Sequence, residues 1–155
     1  IHGGLLGGVL AGYIYTKVKK LNFFKMADCV VLGIPLAQAI GRWGNYLNKE
    51  AHGGPTDLPW GIMVDGVKVH PTFLYESIWD LGVFIFLMLF RKKQKYEGQI
   101  LVYYITLYSI GRFFIEGLRT DSLMLGPLRM AQVISLGFIL IGVILNYVLS
   151  KKNKR

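Results

Sequence analysis

Five stretches of this chain are apolar over lengths that approach a membrane crossing, and the residues between them alternate in charge. They run from Ile1 to Thr16, Met26 to about Leu47 with an interruption at Pro35, Thr72 to Phe90, Gln99 to Leu118, and Leu128 to Leu149. At 1.5 Å of rise per residue, about 20 helical residues cross ~30 Å of hydrocarbon. Composition agrees, with 53% hydrophobic and 17% charged residues in 155. Lipid offers no partner to backbone amides, so each crossing must satisfy its own, as a helix does. The expected fold class is an all-α polytopic membrane protein with about five transmembrane helices. Residues 1–155 are expected to form one membrane-embedded domain.

The basic residues orient it. Lys17, Lys19, Lys20 and Lys25 follow the first span, Arg91, Lys92, Lys93 and Lys95 the third, and Lys151, Lys152, Lys154 and Arg155 the fifth. Together they are 12 of the 18 Lys and Arg, all in connections on one side. The positive-inside rule makes that side cytoplasmic. Membrane anchoring also accounts for the net charge of +9. No nucleic-acid motif is present, and no nucleic-acid partner is expected. The segment 46–71 then lies outside the cytoplasm. Its Asp65-Gly66 pair between short β-branched runs predicts a hairpin, forming a small cap.

Gly4, Gly8 and Gly12 recur every four residues in the first span, a spacing that suits close helix packing. The single cysteine, Cys29, reads as a buried apolar thiol on the cytoplasmic side. His2, His52 and His70 have no metal-ligand spacing. No metal and no cofactor are expected.

Arg112 is the most informative side chain. A charge at membrane depth costs roughly 2.5–3.5 kcal/mol on insertion scales, so it needs a partner, a wet cavity or a substrate. Tyr108, Arg112, Glu116 and Arg119 are spaced four, four and three apart, one stripe on one helical face. Arg112 and Glu116 either neutralise each other or form an anion site, for which a planar guanidinium suits phosphate. Arg42 and Asn45 share a face near the outer end of the second span, followed by Asn48 and Glu50. Arg42 either snorkels beside Trp43 and Tyr46 or joins that site. His70, Tyr75, Glu76 and Asp80 enter the third span from outside, and Glu76 calls for an arginine partner. His2, at the outer end of the first span, is either structural or a general base. Almost every strong polar group thus falls in the outer half, with Asp28 the exception. An ion pathway, the alternative of a transporter or channel segment, needs polar groups in both halves.

Four blocks in order resemble the bacterial phosphatidylglycerol–prolipoprotein diacylglyceryl transferase family. They are His2-Gly3-Gly4-Leu5, Gly41 to Glu50 (GRxGNxxNxE), His70 to Glu76 (HPxxLYE), and Tyr108 to Arg119 (YxxxRxxxExxR). Members carry further spans before the first block, so the chain resembles a C-terminal portion. The resemblance implies transfer of a diacylglyceryl group from phosphatidylglycerol to the lipobox cysteine of a prolipoprotein signal peptide, releasing glycerol phosphate. It implies the bacterial cytoplasmic (inner) membrane, with the active site toward the extracytoplasmic side and a cytoplasmic C-terminus. By analogy Arg42 and Arg112 hold the phosphate, and His2, alone or with Tyr108, takes the thiol proton. Substrate contacts then fall to Asn45, Asn48, Glu50, Gly53, His70, Tyr75, Glu76, Glu116 and Arg119.

Overall fold

The computed structural model describes residues 2–120 and 122–152, without the side chains of 2, 5, 125 and 128. It is mostly helical: α1 (His2–Val18), α2 (Phe23–Val31), α3 (Ile34–Leu47), α4 (Thr72–Phe90), α5 (Gln99–Glu116) and α6 (Met130–Lys152). Two antiparallel hairpins, β1 (Ile62–Val64) with β2 (Val67–Val69) and β3 (Met124–Leu125) with β4 (Leu128–Arg129), complete it. Two helical stretches, Thr72–Lys93 and Met130–Lys152, are long and apolar enough to cross a membrane. A third qualifies if α2 and α3, bent by 41°, count as one span. α1 has 17 residues. α5 is diluted by its tyrosines, Arg112 and Glu116.

The break in the α2–α3 pair precedes Pro35. Leu32 and Gly33 end one helix, and Pro35 sits in the first turn of the next, where its missing N–H costs nothing. Asp65 (φ 48°) and Gly66 (φ 82°) form the expected turn, pairing Val64 with Val67 and Ile62 with Val69. The second hairpin was not expected from the sequence.

α6 is apolar on the outside. Its buried positions are Ser135 and Gly142, while Leu140, Ile141 and Ile144 face outward. Lipid is as apolar as leucine, so helices associate through small residues and close packing instead. Gly142 does so here, meeting Thr106 of α5. An apolar cluster of Val31, Val83, Leu87 and Ile100 joins α2, α4 and α5.

Asp28 has a structural explanation. Its carboxylate accepts the backbone N–H of Gly98 (2.6 Å) and Leu101 (2.9 Å) and the Gln94 amide. It therefore caps the N-terminus of α5 from another helix, where donors are unpaired and the dipole favours an anion. Nearby, Asn22 bonds Glu97, and Tyr96 donates to Asn146. Burial first, then Tyr103 and Asp28, pushes the Tyr96 hydroxyl up to about 12. These contacts gather the 17–25 and 91–98 connections and the C-terminal turns of α6 at one end of the bundle.

One expectation fails. Cys29 is exposed, because α2 turns Asp28 and Val31 inward and the next position away. The glycines of α1 meet no neighbour within 4 Å among the described residues. α1 leans on α2 near their connection, with Tyr13 edge-on to Phe23, and the glycine face stays open.

Candidate functional site

At the opposite end of the bundle, three helices contribute charge to one point. Glu76 lies one turn inside α4. Its Oε2 is 2.7 Å from Arg42 Nε of α3, and its Oε1 accepts from Arg112 Nη1 of α5 at 2.6 Å. Arg119 Nη1 stands 3.7 Å from the same Oε1. The C-terminal parts of α3 and α5 are thus brought to the N-terminal turn of α4. Arg112 also pairs with Glu116 along its own helix at 2.8 Å. The self-neutralising pair and the inter-helix site coexist.

The carboxylates are nearly sealed, while Arg42 and Arg112 keep 20% and 21% of their side-chain surface open. Arg42 Nη2 donates to the Tyr108 hydroxyl at 3.4 Å. Asp80, one turn below Glu76, places Oδ2 4.0 Å from Arg42 Nε. Arg42 Nε, Asp80 Oδ2 and Glu116 Oε2 are buried and make no directed hydrogen bond among the described residues. The Arg42–Glu76 and Arg112–Glu116 contacts through those atoms are therefore ionic, with the N–H poorly aimed at the oxygen. An anion bringing better geometry has something to gain.

Arg42, Glu76, Asp80, Tyr108 and Arg112 line one small cavity of about 10 Å³, room for about one water. Trp79 closes one wall and donates to the Leu107 carbonyl at 2.9 Å. Its indole lies where a Cβ on Gly111 would be, so only glycine at 111 lets α4 approach α5 this closely.

Gly53 ties the ends together. Its N–H bonds the His70 carbonyl at 2.9 Å, and it bridges Arg119 across a short antiparallel contact. A Cβ there would fall 2.5 Å from His70 Cβ and 3.0 Å from the Leu118 carbonyl. The loop leaving α3 thereby fixes both the start of α4 and the exit of α5.

The other expected residues lie apart from the guanidiniums. His70 Nδ1 is 3.3 Å from the Tyr75 hydroxyl, which accepts from Trp60 Nε1 at 2.9 Å. Asn48 reaches Glu50 at 3.3 Å, and the Glu50 N–H bonds the Asn45 carbonyl at 3.0 Å. Asn45 and Glu50 line a second, larger cavity of about 250 Å³ between the end of α3 and the β1 hairpin. The His2 side chain lies outside the described residues. The Tyr108 hydroxyl is the one held on Arg42.

Sequence reasoning passed over three groups. Asp80 was noted as Glu76's helical neighbour and given no role. Arg129 Nη1 donates to the Glu116 and Arg119 carbonyls, closing the C-terminus of α5. A basic residue opening the last apolar span was its only signal. Ser122 donates to Glu116 Oε1 at 2.6 Å.

A sequence model of the prolipoprotein diacylglyceryl transferase family matches residues 1–148. Among curated relatives, the phosphatidylglycerol–prolipoprotein diacylglyceryl transferase of Clostridioides difficile (strain 630) is 79% identical over 154 residues, 99% of this chain and 62% of that protein. The protein of the same name from Clostridium novyi (strain NT) is 54% identical over 99% of this chain and 64% of its own length. That of Bacillus cytotoxicus is 52% identical, over 93% and 58% respectively. The chain thus spans about three fifths of the length of these relatives. Nothing in these matches supports the transporter alternative. With the family model matching nearly end to end and identities of 50% and more, the chain belongs to the prolipoprotein diacylglyceryl transferase family.

Proposed function

We propose that this chain is the catalytic portion of a membrane enzyme that moves the diacylglyceryl group of phosphatidylglycerol onto the lipobox cysteine of a prolipoprotein. The single observation that supports it most is the Glu76 carboxylate held between Arg42 and Arg112. Two cations from different helices converge on one anion, at the end of the bundle away from the lysine clusters.

The reaction forms a carbon–sulfur bond and breaks the bond between a glycerol carbon and a phosphate oxygen. The departing phosphate takes the electron pair and gains one negative charge. Guanidiniums already fixed beside that oxygen stabilise the growing charge without reorganising. Six charged groups, three arginines and the carboxylates Glu76, Asp80 and Glu116, leave the resting site near neutral. Arg42 and Arg112 therefore exchange a carboxylate contact for the phosphate as the headgroup enters, opening the one-water cavity. The acceptor thiol, with an ordinary pKa near 8.5, must lose its proton to attack. His2 receives it, and the Tyr108 hydroxyl, held on Arg42, donates a hydrogen bond to the thiolate that forms. Asn45, Asn48 and Glu50 border the approach to the arginines, while Gly53, His70 and Tyr75 hold the loop that carries them.

The five-span arrangement, with the three lysine clusters in the cytoplasm, belongs to the same proposal. It sets the hairpins as a cap on the extracytoplasmic side of a bacterial cytoplasmic membrane, as one domain, with the C-terminus inside. Spans α1 and α5 then rely on neighbours to cover their polar and short segments. The test is transfer of labelled diacylglyceryl from phosphatidylglycerol vesicles to a lipobox peptide by the full-length protein. Arg112→Gln should cut it by about 10²–10³, and undiminished transfer would remove the assignment.

A further inference from the structure

The larger cavity adjoins an open strand edge. All three residues of β1 line it, and none of β2. β2 is paired on both sides, with β1 on one and with the 54–56 segment on the other, where the Thr56 N–H bonds the Lys68 carbonyl at 2.9 Å. β1 has a strand on one side only among the described residues. Register fixes what its open side offers. The pair Val64–Val67 flanks a two-residue turn and exchanges hydrogen bonds, so the next pair, Met63–Lys68, does not. The Met63 N–H and C=O therefore point away from β2, as the Lys68 carbonyl does on the far edge. Met63 itself is 67% exposed.

The cavity floor is apolar, from Tyr46, Leu47 and Phe73, with Phe73 stacked on Tyr46. Its volume of about 250 Å³ exceeds the roughly 150 Å³ that admits a benzene-sized group. Its far wall is the α3 exit, where Lys49 (φ 55°) and Ala51 (φ 56°) hold left-handed conformations on either side of Glu50. Thr72 Oγ1 locks that bend by donating to the Ala51 carbonyl at 2.5 Å. Asn45 lies three residues past Arg42 and lines the same space, so the cavity begins about 5 Å along α3 from the arginine.

We infer that β1 and this cavity form a docking site for an extended peptide: the residues that follow the acceptor cysteine on its secreted side. The inference rests on the transferase reading above. The peptide adds as a strand to the β1 edge, exchanging main-chain hydrogen bonds with Met63, and sets one or two apolar side chains into the cavity. Main-chain pairing uses no acceptor side chain and so binds many sequences alike.

The experiment compares two acceptor peptides with the full-length protein in phosphatidylglycerol vesicles. One ends at the cysteine, and the other continues for about six residues, roughly 20 Å of extended chain. Met63→Pro removes the outward N–H, a change an edge strand tolerates. It should raise KM for the long acceptor about three- to tenfold relative to the short one, the worth of one net hydrogen bond. Met63→Ala keeps the amide and should shift that ratio less. Backbone N-methylation of the long acceptor, which leaves the enzyme untouched, should reproduce the effect at one or two alternate positions. Equal effects on both acceptors would mean that the hairpin seats the enzyme on the membrane or holds the fold, and would overturn the docking site. So would an unchanged ratio with N-methylation harmless throughout. If the unaltered protein transfers lipid to neither acceptor, the transferase reading falls and this inference falls with it. Transfer without dependence on acceptor length sinks the inference alone.

Discussion

Glu76 and Arg112 form the joint between α4 and α5: one carboxylate oxygen accepts from Nη1 at 2.6 Å while the other faces Arg42. Two cations from two helices meet on this one anion. Removing its charge leaves Arg112 with Glu116 alone and Arg42 with only Asp80, at 4.0 Å.

Glu76→Gln should therefore damage both fold and function. Breaking a buried ion pair costs about 3–5 kcal/mol, and partial exposure of both arginines reduces this to about 2 kcal/mol. Thermal unfolding in detergent should show the loss, with transfer falling at least tenfold in the protein that remains folded. Unchanged stability would mean that the carboxylate does not hold the arginines.

Lysine should not replace either arginine. Arg42 touches Glu76 and Tyr108, and Arg112 touches Glu76 and Glu116, each through separate nitrogens of a planar fork. A lysine is a single point donor. Arg42→Lys and Arg112→Lys should lose transfer nearly as fully as the glutamine variants, measured as kcat/KM for the lipobox peptide. Lysine variants with near-normal rates would show that charge alone suffices.

Asp28→Ala should separate stability from chemistry. It strips the charged partner from two backbone amides at the start of α5 and from Gln94, at a cost of about 2–3 kcal/mol. The midpoint of unfolding should drop, while the rate per folded molecule stays that of the unaltered protein. A selective loss of rate would give Asp28 a part in catalysis.

Gly53→Ala should act at a distance from the arginines. The new methyl overlaps His70 Cβ and crowds the Leu118 carbonyl, so the contact with Arg119 must open. Overpacking of this kind costs about 1–3 kcal/mol. Reduced transfer with weakened amide protection around 117–119, read by hydrogen exchange, is the expected outcome. Normal protection there would show that the loop adjusts freely.

What the sequence disclosed follows from periodicity and chemistry. The four-residue spacing of Tyr108, Arg112 and Glu116 placed them on one face of α5, and Glu76 announced a need for an arginine. Asp65-Gly66 specified its turn because both residues tolerate positive φ. Pairings between elements were out of reach. Asp28 looked like a stray charge because its partners are backbone amides 70 residues away, which no side-chain pattern reveals. Arg129 is recognisable as a cap only once α6 returns beside α5. The α1 glycines show the converse: a small-residue row states a capacity for close packing and does not name the neighbour. Cys29 differs from Asp28 by one position on a helix, enough to turn it outward.

The most direct test of the central claim is a double-mutant cycle on Arg42 and Arg112 in the full-length protein, read as transfer from phosphatidylglycerol to a lipobox peptide. If both guanidiniums serve one phosphate, Arg42→Gln and Arg112→Gln should each reduce kcat by about 10²–10³. The double variant should then be little worse than the poorer single, as for groups that act as a unit. Losses that multiply, or either single variant at full rate, would show that the two arginines do not share a substrate.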